Sequence, residues 1–383
     1  MRTAPQTLAD LQQVAEAFQL PGPVQSVAPL GNGNVNATYL VEAGGQRYVL
    51  QRLNTAVFRQ PELVMGNLQA LQQHVGASLQ SLRAAREPAL AGRRWELPQV
   101  ICSRDHNQAW HCCQSGGFWR TLTFVDDARS VEVIEDRRQA RELGWGLGLF
   151  HRLISDLPVE RLADTLEGFH ITPRYLDAYH RALVHSSAEP CELSNFCLRF
   201  IAEREAGASV LEDAKARGEL PLRPIHGDPK INNMLLDRGS GAAIALIDLD
   251  TVKPGLVHYD IGDCLRSCCN RLGEETEDFE AVRFDLDLAA AILEGYLSVA
   301  NAVLTAAELR YIPAATALIS FELGLRFFTD HLNGNTYFRA DHPRHNLHRA
   351  VVQFQLAASI EAQRAELQQL VQGHSAALRS EAA

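Results

Sequence analysis

The sequence predicts an α+β protein of two lobes, a small β-rich lobe followed by a larger and mainly helical one. Three observations carry that expectation. Alternating apolar residues and paired glycines crowd the first 125 positions, helical periodicity dominates beyond residue 127, and one short strand-and-loop block at 223–250 interrupts the helices. At 383 residues the chain exceeds the size at which one core keeps growing, so lobes of 1–124 and 125–383 are the expected partition.

The elements follow in order. An amphipathic helix is expected over 8–18. Residues 24–54 alternate and carry turn residues, with Ala37-Thr38-Tyr39-Leu40-Val41 and Tyr48-Val49-Leu50-Gln51-Arg52-Leu53 flanking Gly44-Gly45, a pair suited to a tight hairpin turn. Pro61 opens a helix whose Leu63, Met65, Leu68, Leu71 and Val75 recur at helical spacing. The Arg-rich stretch 81–94 reads as a loop or ragged helix. Strands are expected at 99–103, 108–113 and 118–124, with the lobes joined near 121–127. Long helices follow at 131–154, 173–185, 194–217, 279–303, 306–332 and 345–371.

Composition excludes several functions. A formal charge of -10 argues against a polyanion-binding surface, so nucleic acid is not an expected partner. The first twenty residues lack the basic start and apolar run of a secretory signal, and no window reads as a membrane span; the expectation is a cytoplasmic protein with no membrane partner, monomeric or homodimeric. The eight cysteines lack paired C-x-x-C spacing and read as free thiols, with Cys112-Cys113 and Cys268-Cys269 expected as buried small hydrophobes. Lysine is scarce, at 215, 230 and 253 only.

The chemistry concentrates in Ile225-His226-Gly227-Asp228-Pro229-Lys230-Ile231-Asn232-Asn233, followed by Ala245-Leu246-Ile247-Asp248-Leu249-Asp250. Phosphoryl transfer from ATP needs a carboxylate near the acceptor hydroxyl, and oxygen ligands that hold Mg2+ against the transferred phosphate. His226-x-Asp228 with an amide five residues on, and an apolar strand ending in Asp248, supply both. Asp250 sits two residues further, where a metal-shell role and a structural hydrogen-bonding role are both open. His226 reads as a pin for the loop. Lys230 is placed to reach the γ-phosphate.

At these residues the chain resembles the aminoglycoside phosphotransferase and choline kinase superfamily, whose shared pattern is H-G-D-x-x-x-x-N followed by I-D. The runs Asp228 to Asn233, Ile247 to Leu256, Tyr48 to Asn54 and Phe321 to Phe327 look like the N-acetylhexosamine 1-kinase branch, and the likeness extends over about 30–354. The resemblance implies a two-lobed, protein-kinase-like fold with ATP and Mg2+ as cofactors. It also implies Asp228 as the base, Asn233 and Asp248 as metal ligands, and a phosphate-gripping cation in the small lobe. That lobe has no lysine, so Arg52 takes the place; an outward-facing arginine on an edge strand is the bland alternative, and its acidic helix partner is undefined, Glu62 lying near the helix start. The turn Gly31-Asn32-Gly33-Asn34 could bring backbone N–H groups to the phosphates, although related hexosamine kinases carry His where this chain has Asn34. Thr121, Phe124 and Val125 belong to the segment expected to contact adenine through backbone groups.

For the acceptor, Arg326 and Tyr337 match by position the sugar-recognising Arg and Tyr of the N-acetylhexosamine kinases, and Asp228 would touch the acceptor too. An i,i+4 pair with Glu322 is the alternative for Arg326. The implied activity is phosphorylation of the anomeric hydroxyl of GlcNAc or GalNAc. Aminoglycoside, choline and homoserine acceptors stay open, as does a nucleotide-binding pseudokinase regulator. Cationic acceptors would call for acidic or aromatic cages, and the C-terminal part offers no clear one.

Overall fold

One antiparallel sheet with two differently covered faces organises the first third of the chain. The structure is a computed structural model and describes residues 7–31, 35–113 and 116–381, with side chains described to residue 375. Helix α1 (Leu8–Glu16) precedes strands β1 (Val24–Pro29), β2 (Ala37–Ala43) and β3 (Gln46–Arg52); helix α2 (Pro61–Ala84) then leads to β4 (Val100–Ile101), β5 (His111–Cys112) and β6 (Phe118–Thr123). The strands run in the order β1-β2-β3-β6-β4, with β5 also on β6. Gly44 and Gly45 take φ of 58° and 74°, the doubly positive pair that a tight hairpin turn requires, and set Ala43 opposite Gln46.

Alternation along β3 and β6 sorts the side chains. Tyr48, Leu50 and Trp119 pack with Leu11, Val14 and Phe18 of the α1 segment, while Phe118 joins Met65, Leu68 and Leu71 of α2 on the other face. Removing those apolar side chains from water, at roughly 1.5–3 kcal/mol each, fixes α1 and α2 on opposite faces.

The second lobe begins at β7 (Ala128–Arg129) and continues through α3 (Arg137–Ile154), α4 (Thr172–His185), α5 (Glu192–Arg204) and α6 (Val210–Ala216). Strands β8 (Arg223–Ile225), β9 (Met234–Asp237), β10 (Ala243–Leu246) and β11 (Lys253–Gly255) follow, then α7 (Val257–Cys268), α8 (Leu286–Ala300), α9 (Ala306–Leu332), α10 (His345–Ala362) and α11 (Arg364–Glu381). Helices α3 and α8 meet at glycines: a Cβ on Gly144 would stand 1.9 Å from the Ile292 carbonyl oxygen. Helix α9 starts at a capping box, Thr305 with Glu308, and is the core helix of this lobe. Against the sequence expectation of no span, it is long and apolar enough to cross a membrane by length and composition, yet 72% of its most apolar window is buried in the fold.

Other expectations need correction too. The helix expected at 194–217 is two helices, α5 and α6, and that at 345–371 breaks after Ala362. Helix α3 starts at Arg137, where Asp136 caps the Gln139 N–H. Helix α7 is not among the helices expected from the sequence. Its apolar residues Val257, Ile261, Cys264, Leu265 and Cys268 recur at helical spacing, but its polar residues are buried as well, and Gly262 and two aspartates weaken its propensity. All eight cysteines are free thiols, but Cys112 is exposed, unlike the buried Cys268 and Cys269.

Candidate active site

Two antiparallel strand pairs bring two loops together. Pairing of β9 with β10 and of β8 with β11 sets the 226–233 loop beside the 247–252 loop, and the Ile247 N–H donates to the Asn233 carbonyl at 2.9 Å. Gly227 has φ of 87°, and a Cβ there would lie 2.7 Å from the Thr251 carbonyl oxygen, so only glycine lets the loops approach. Asp260 of α7, fully buried, clamps the turn by accepting from the N–H groups of His226 (2.7 Å) and Gly227 (2.8 Å), and His151 meets the same carboxylate at 2.8 Å.

His226 is a pin. Its Nδ1 accepts from the Asp228 N–H at 3.2 Å, so its Nε2 carries the hydrogen that goes to the Ile247 carbonyl at 2.9 Å. Burial holds its pKa below the ordinary histidine value, in keeping with a neutral ring.

Around that frame, the structure gathers Asp228, Lys230, Asn233 and Asp248. Lys230 Nζ lies 2.9 Å from Asp228 Oδ2. Burial works against the Lys230 ammonium, but the pairing with Asp228 outweighs it and raises its pKa. Asn233 Nδ2 donates to the Asp228 carbonyl at 2.8 Å, which leaves its amide oxygen available as a ligand. Asp248 adopts a left-handed conformation, φ 63° and ψ 54°, uncommon for a residue with a Cβ and characteristic of functional turns. Its side chain is exposed yet surrounded by protein atoms; that desolvation first, then Asp250 and Asp228, push its carboxyl up to about 7. Carboxylates crowded in this way favour a cation. Among the described residues no three His, Cys, Asp or Glu side chains form a ready metal cage. An amide oxygen and a carboxylate, Asn233 and Asp248, are donors of the kind that a hard cation such as Mg2+ takes, with waters and phosphate oxygens as its remaining ligands.

Asp250 points elsewhere. Its Oδ2 accepts from Asn36 Nδ2 at 2.6 Å, and its Oδ1 stands 2.5 Å from Arg120 Nη1, an ionic contact outside hydrogen-bond alignment. Arg120 in turn donates to Gln51 Oε1 at 2.9 and 2.7 Å, and Asn36 Oδ1 accepts from the Asn54 N–H. This buried cluster ties the two lobes together. Sequence reasoning missed Arg120, because an arginine at the centre of a strand carries no motif.

The nucleotide-side residues are dispersed. Arg52 ends β3 opposite Trp119, half-buried, and a Cβ on Gly117 would stand 3.2 Å from its Nε; this is the sheet face opposite Gln51 and Arg120. Gly31 has φ of 67°, while Gly33 and Asn34 lie outside the described residues. Thr121 is buried on β6 across from Leu50, the Phe124 ring lies under the Arg47 guanidinium at 4.5 Å, and Val125 packs on Ile244 and Ala245.

A cavity of about 1080 Å3 contains Asp228, Lys230, Arg326 and Tyr337 in its lining. The Arg326 guanidinium stands 5.4, 5.1 and 5.4 Å from the rings of Phe169, Tyr175 and Phe338. It makes no ion pair with Glu322, whose carboxylate takes His170 Nδ1 at 3.0 Å and the Thr172 hydroxyl at 2.7 Å. The turn that presents Tyr337 is held by Asp330, which accepts the N–H groups of Thr336, Tyr337 and Phe338 at 2.8–2.9 Å.

A two-lobed fold of small antiparallel sheet and large helical lobe, with carboxylates, an amide and a lysine converging on the cleft, defines a kinase-like small-molecule phosphotransferase. The chain belongs to the phosphotransferase enzyme family, whose profile matches residues 26–300. Among solved structures it is similar to an aminoglycoside phosphotransferase from Alicyclobacillus acidocaldarius, with 16% identity, a TM-score of 0.63, and 97% of this chain and 98% of that one covered. It is likewise similar to a choline kinase from Cryptosporidium parvum, with 13% identity, a TM-score of 0.58, and coverage of 96% and 98%. A spectinomycin phosphotransferase in complex with ADP and spectinomycin matches at 12% identity and a TM-score of 0.55, covering 94% and 98%.

Proposed function

We propose that the chain transfers the γ-phosphoryl group of ATP to a hydroxyl of a small neutral acceptor, and that the acceptor is an N-acetylhexosamine phosphorylated at its anomeric hydroxyl. The observation that carries this reading is that Asp228 and Lys230 line one cavity with an Arg326 guanidinium that has aromatic neighbours but no carboxylate partner among the described residues. A guanidinium so placed suits a carbonyl oxygen such as that of an acetamido group, with the Tyr337 hydroxyl as a second directional group. It would repel choline or an aminoglycoside. Acidic residues do line the cavity, but Glu274 and Glu275 are paired with Arg266, Arg349 and His345.

In this reading Asp228 accepts the proton of the attacked hydroxyl, and Lys230 leaves Asp228 to meet the charge that develops on the transferred group. Asn233 and Asp248 would hold Mg2+, which when bound would supply the positive charge that offsets the phosphates. Thr121, Phe124 and Val125 would border the adenine through backbone groups.

The test is ADP release with GlcNAc, GalNAc, glucosamine, choline, homoserine and an aminoglycoside, alongside Asp228→Asn. The expected result is turnover of an N-acetylhexosamine with a phosphorus NMR signal of an anomeric phosphate, and a loss of about 10^3-fold or more in the variant. Selective turnover of a cationic acceptor, or near-normal turnover by Asp228→Asn, would contradict the proposal.

A further inference from the structure

Helix α7 carries a second carboxylate to the acceptor cavity. Asp260, which clamps the catalytic turn, and Asp263 are three residues apart and so lie on one face of the helix. Asp263 is 6% exposed and lines the same cavity as Asp228 and Arg326. Its Oδ1 accepts from Arg266 Nε at 2.8 Å, and Arg266 Nη1 goes on to Glu274 at 2.6 Å. Its Oδ2 is buried and has no hydrogen-bond partner among the described residues.

A buried carboxylate oxygen without a donor is costly to a fold, and a ligand that supplies the donor removes that cost on binding. The donor's chemistry follows from its surroundings. Arg266 is shared between Asp263 and Glu274, and Arg326 adds a guanidinium without a carboxylate partner among the described residues to the same cavity. A neutral hydroxyl can donate to Asp263 without bringing a further cation beside these two guanidiniums. The cavity, at about 1080 Å3, also has room for polar groups beyond the one attacked.

We propose that Asp263 is a specificity-determining residue whose Oδ2 accepts a hydrogen bond from a hydroxyl of a neutral polyhydroxylated acceptor, at a carbon other than the one phosphorylated. The inference rests on the sugar-kinase reading and adds a named contact to it. A site built to accept from a hydroxyl rejects an analogue lacking it far more strongly than an apolar pocket rejects an extra methylene.

The experiment measures kcat and KM of the full chain with the N-acetylhexosamine it phosphorylates and with that sugar's monodeoxy analogues, for wild type and Asp263→Asn. Dissociation constants for a non-hydrolysable ATP analogue and thermal midpoints are measured in parallel. In the variant KM is expected to rise about 10- to 100-fold, with kcat changed only a few-fold and nucleotide affinity unchanged. One deoxy analogue should lose a similar factor with wild type and no further factor with the variant. If the variant does not fold, the wild-type analogues decide alone: every deoxy analogue within twofold of the parent sugar overturns the contact. A folded variant with unaltered KM also overturns it, leaving the sugar-kinase reading in place. Absence of turnover with every neutral polyol overturns both.

Discussion

Removing Arg120 should cost the protein more than any exposed ion pair could, because its partner is left charged and buried. The Arg120 and Asp250 side chains are each 2% exposed and lie 2.5 Å apart, and Arg120 also saturates Gln51. Exposed pairs are worth about 0–1 kcal/mol. Breaking a buried pair from one side costs roughly 3–5 kcal/mol, since an uncompensated carboxylate stays in a low-dielectric site. For cooperative unfolding of 383 residues that corresponds to a drop of about 4–6 °C in Tm. Arg120→Met is the perturbation, and the assays are thermal unfolding and urea titration in the absence of nucleotide. The double variant Arg120→Met/Asp250→Leu should recover much of the loss, because it removes the stranded charge together with its partner. A single-variant loss below about 1 kcal/mol, or a double variant no better than the single, would refute the claim that this pair joins the lobes. A third variant addresses the role of Asp250. With both its oxygens engaged by protein groups, Asp250→Asn should lower stability yet leave the Mg2+ concentration for half-maximal turnover unchanged.

Two further outcomes follow from packing and titration. Gly144→Ala should destabilise by about 2–4 kcal/mol despite alanine's better helix propensity, because the new Cβ would meet the Ile292 carbonyl at 1.9 Å and force α3 from α8; an unchanged urea midpoint would contradict this. Burial lowers the pKa of His258 from 6.5 to about 4, so its contribution of roughly 3 kcal/mol is complete above pH 6.5 and declines as pH falls towards 4; replacing it with Gln should flatten that part of the pH–stability curve, and an equally steep curve would count against it.

Much of the architecture was legible because each lobe writes its own period. The Gly44-Gly45 hairpin, the Pro61 helix and α9 announce themselves by turn chemistry or apolar spacing. The 226–233 loop was legible from its spacing, since Asp228 and Asn233 lie in one turn and Asp248 follows closely on β10. What stayed hidden depends on pairs distant in sequence. Arg120 and Asp250 are 130 positions apart, and neither looks unusual until β6 faces the 248–252 turn. Asp260 and Asp263 sit on the polar side of a short helix, a side that reads as solvated until the fold buries it, and the glycines of α3 acquire meaning only against α8. Arg52 was assigned by its place in a strand, but the strand's alternation, which sets its side chain beside Trp119, became visible only with the β3–β6 register.

In the proposed function, the 226–233 loop and the segment after β10 gather Asp228, Asn233 and Asp248 around a magnesium-loaded nucleotide. The most direct test of that arrangement is anomalous diffraction from crystals grown with a non-hydrolysable ATP analogue and Mn2+ in place of Mg2+. The expected result is a metal peak about 2.1 Å from the Asn233 amide oxygen and an Asp248 carboxylate oxygen, with the terminal phosphate facing Asp228. A peak away from both residues, or a terminal phosphate turned away from Asp228, would contradict it.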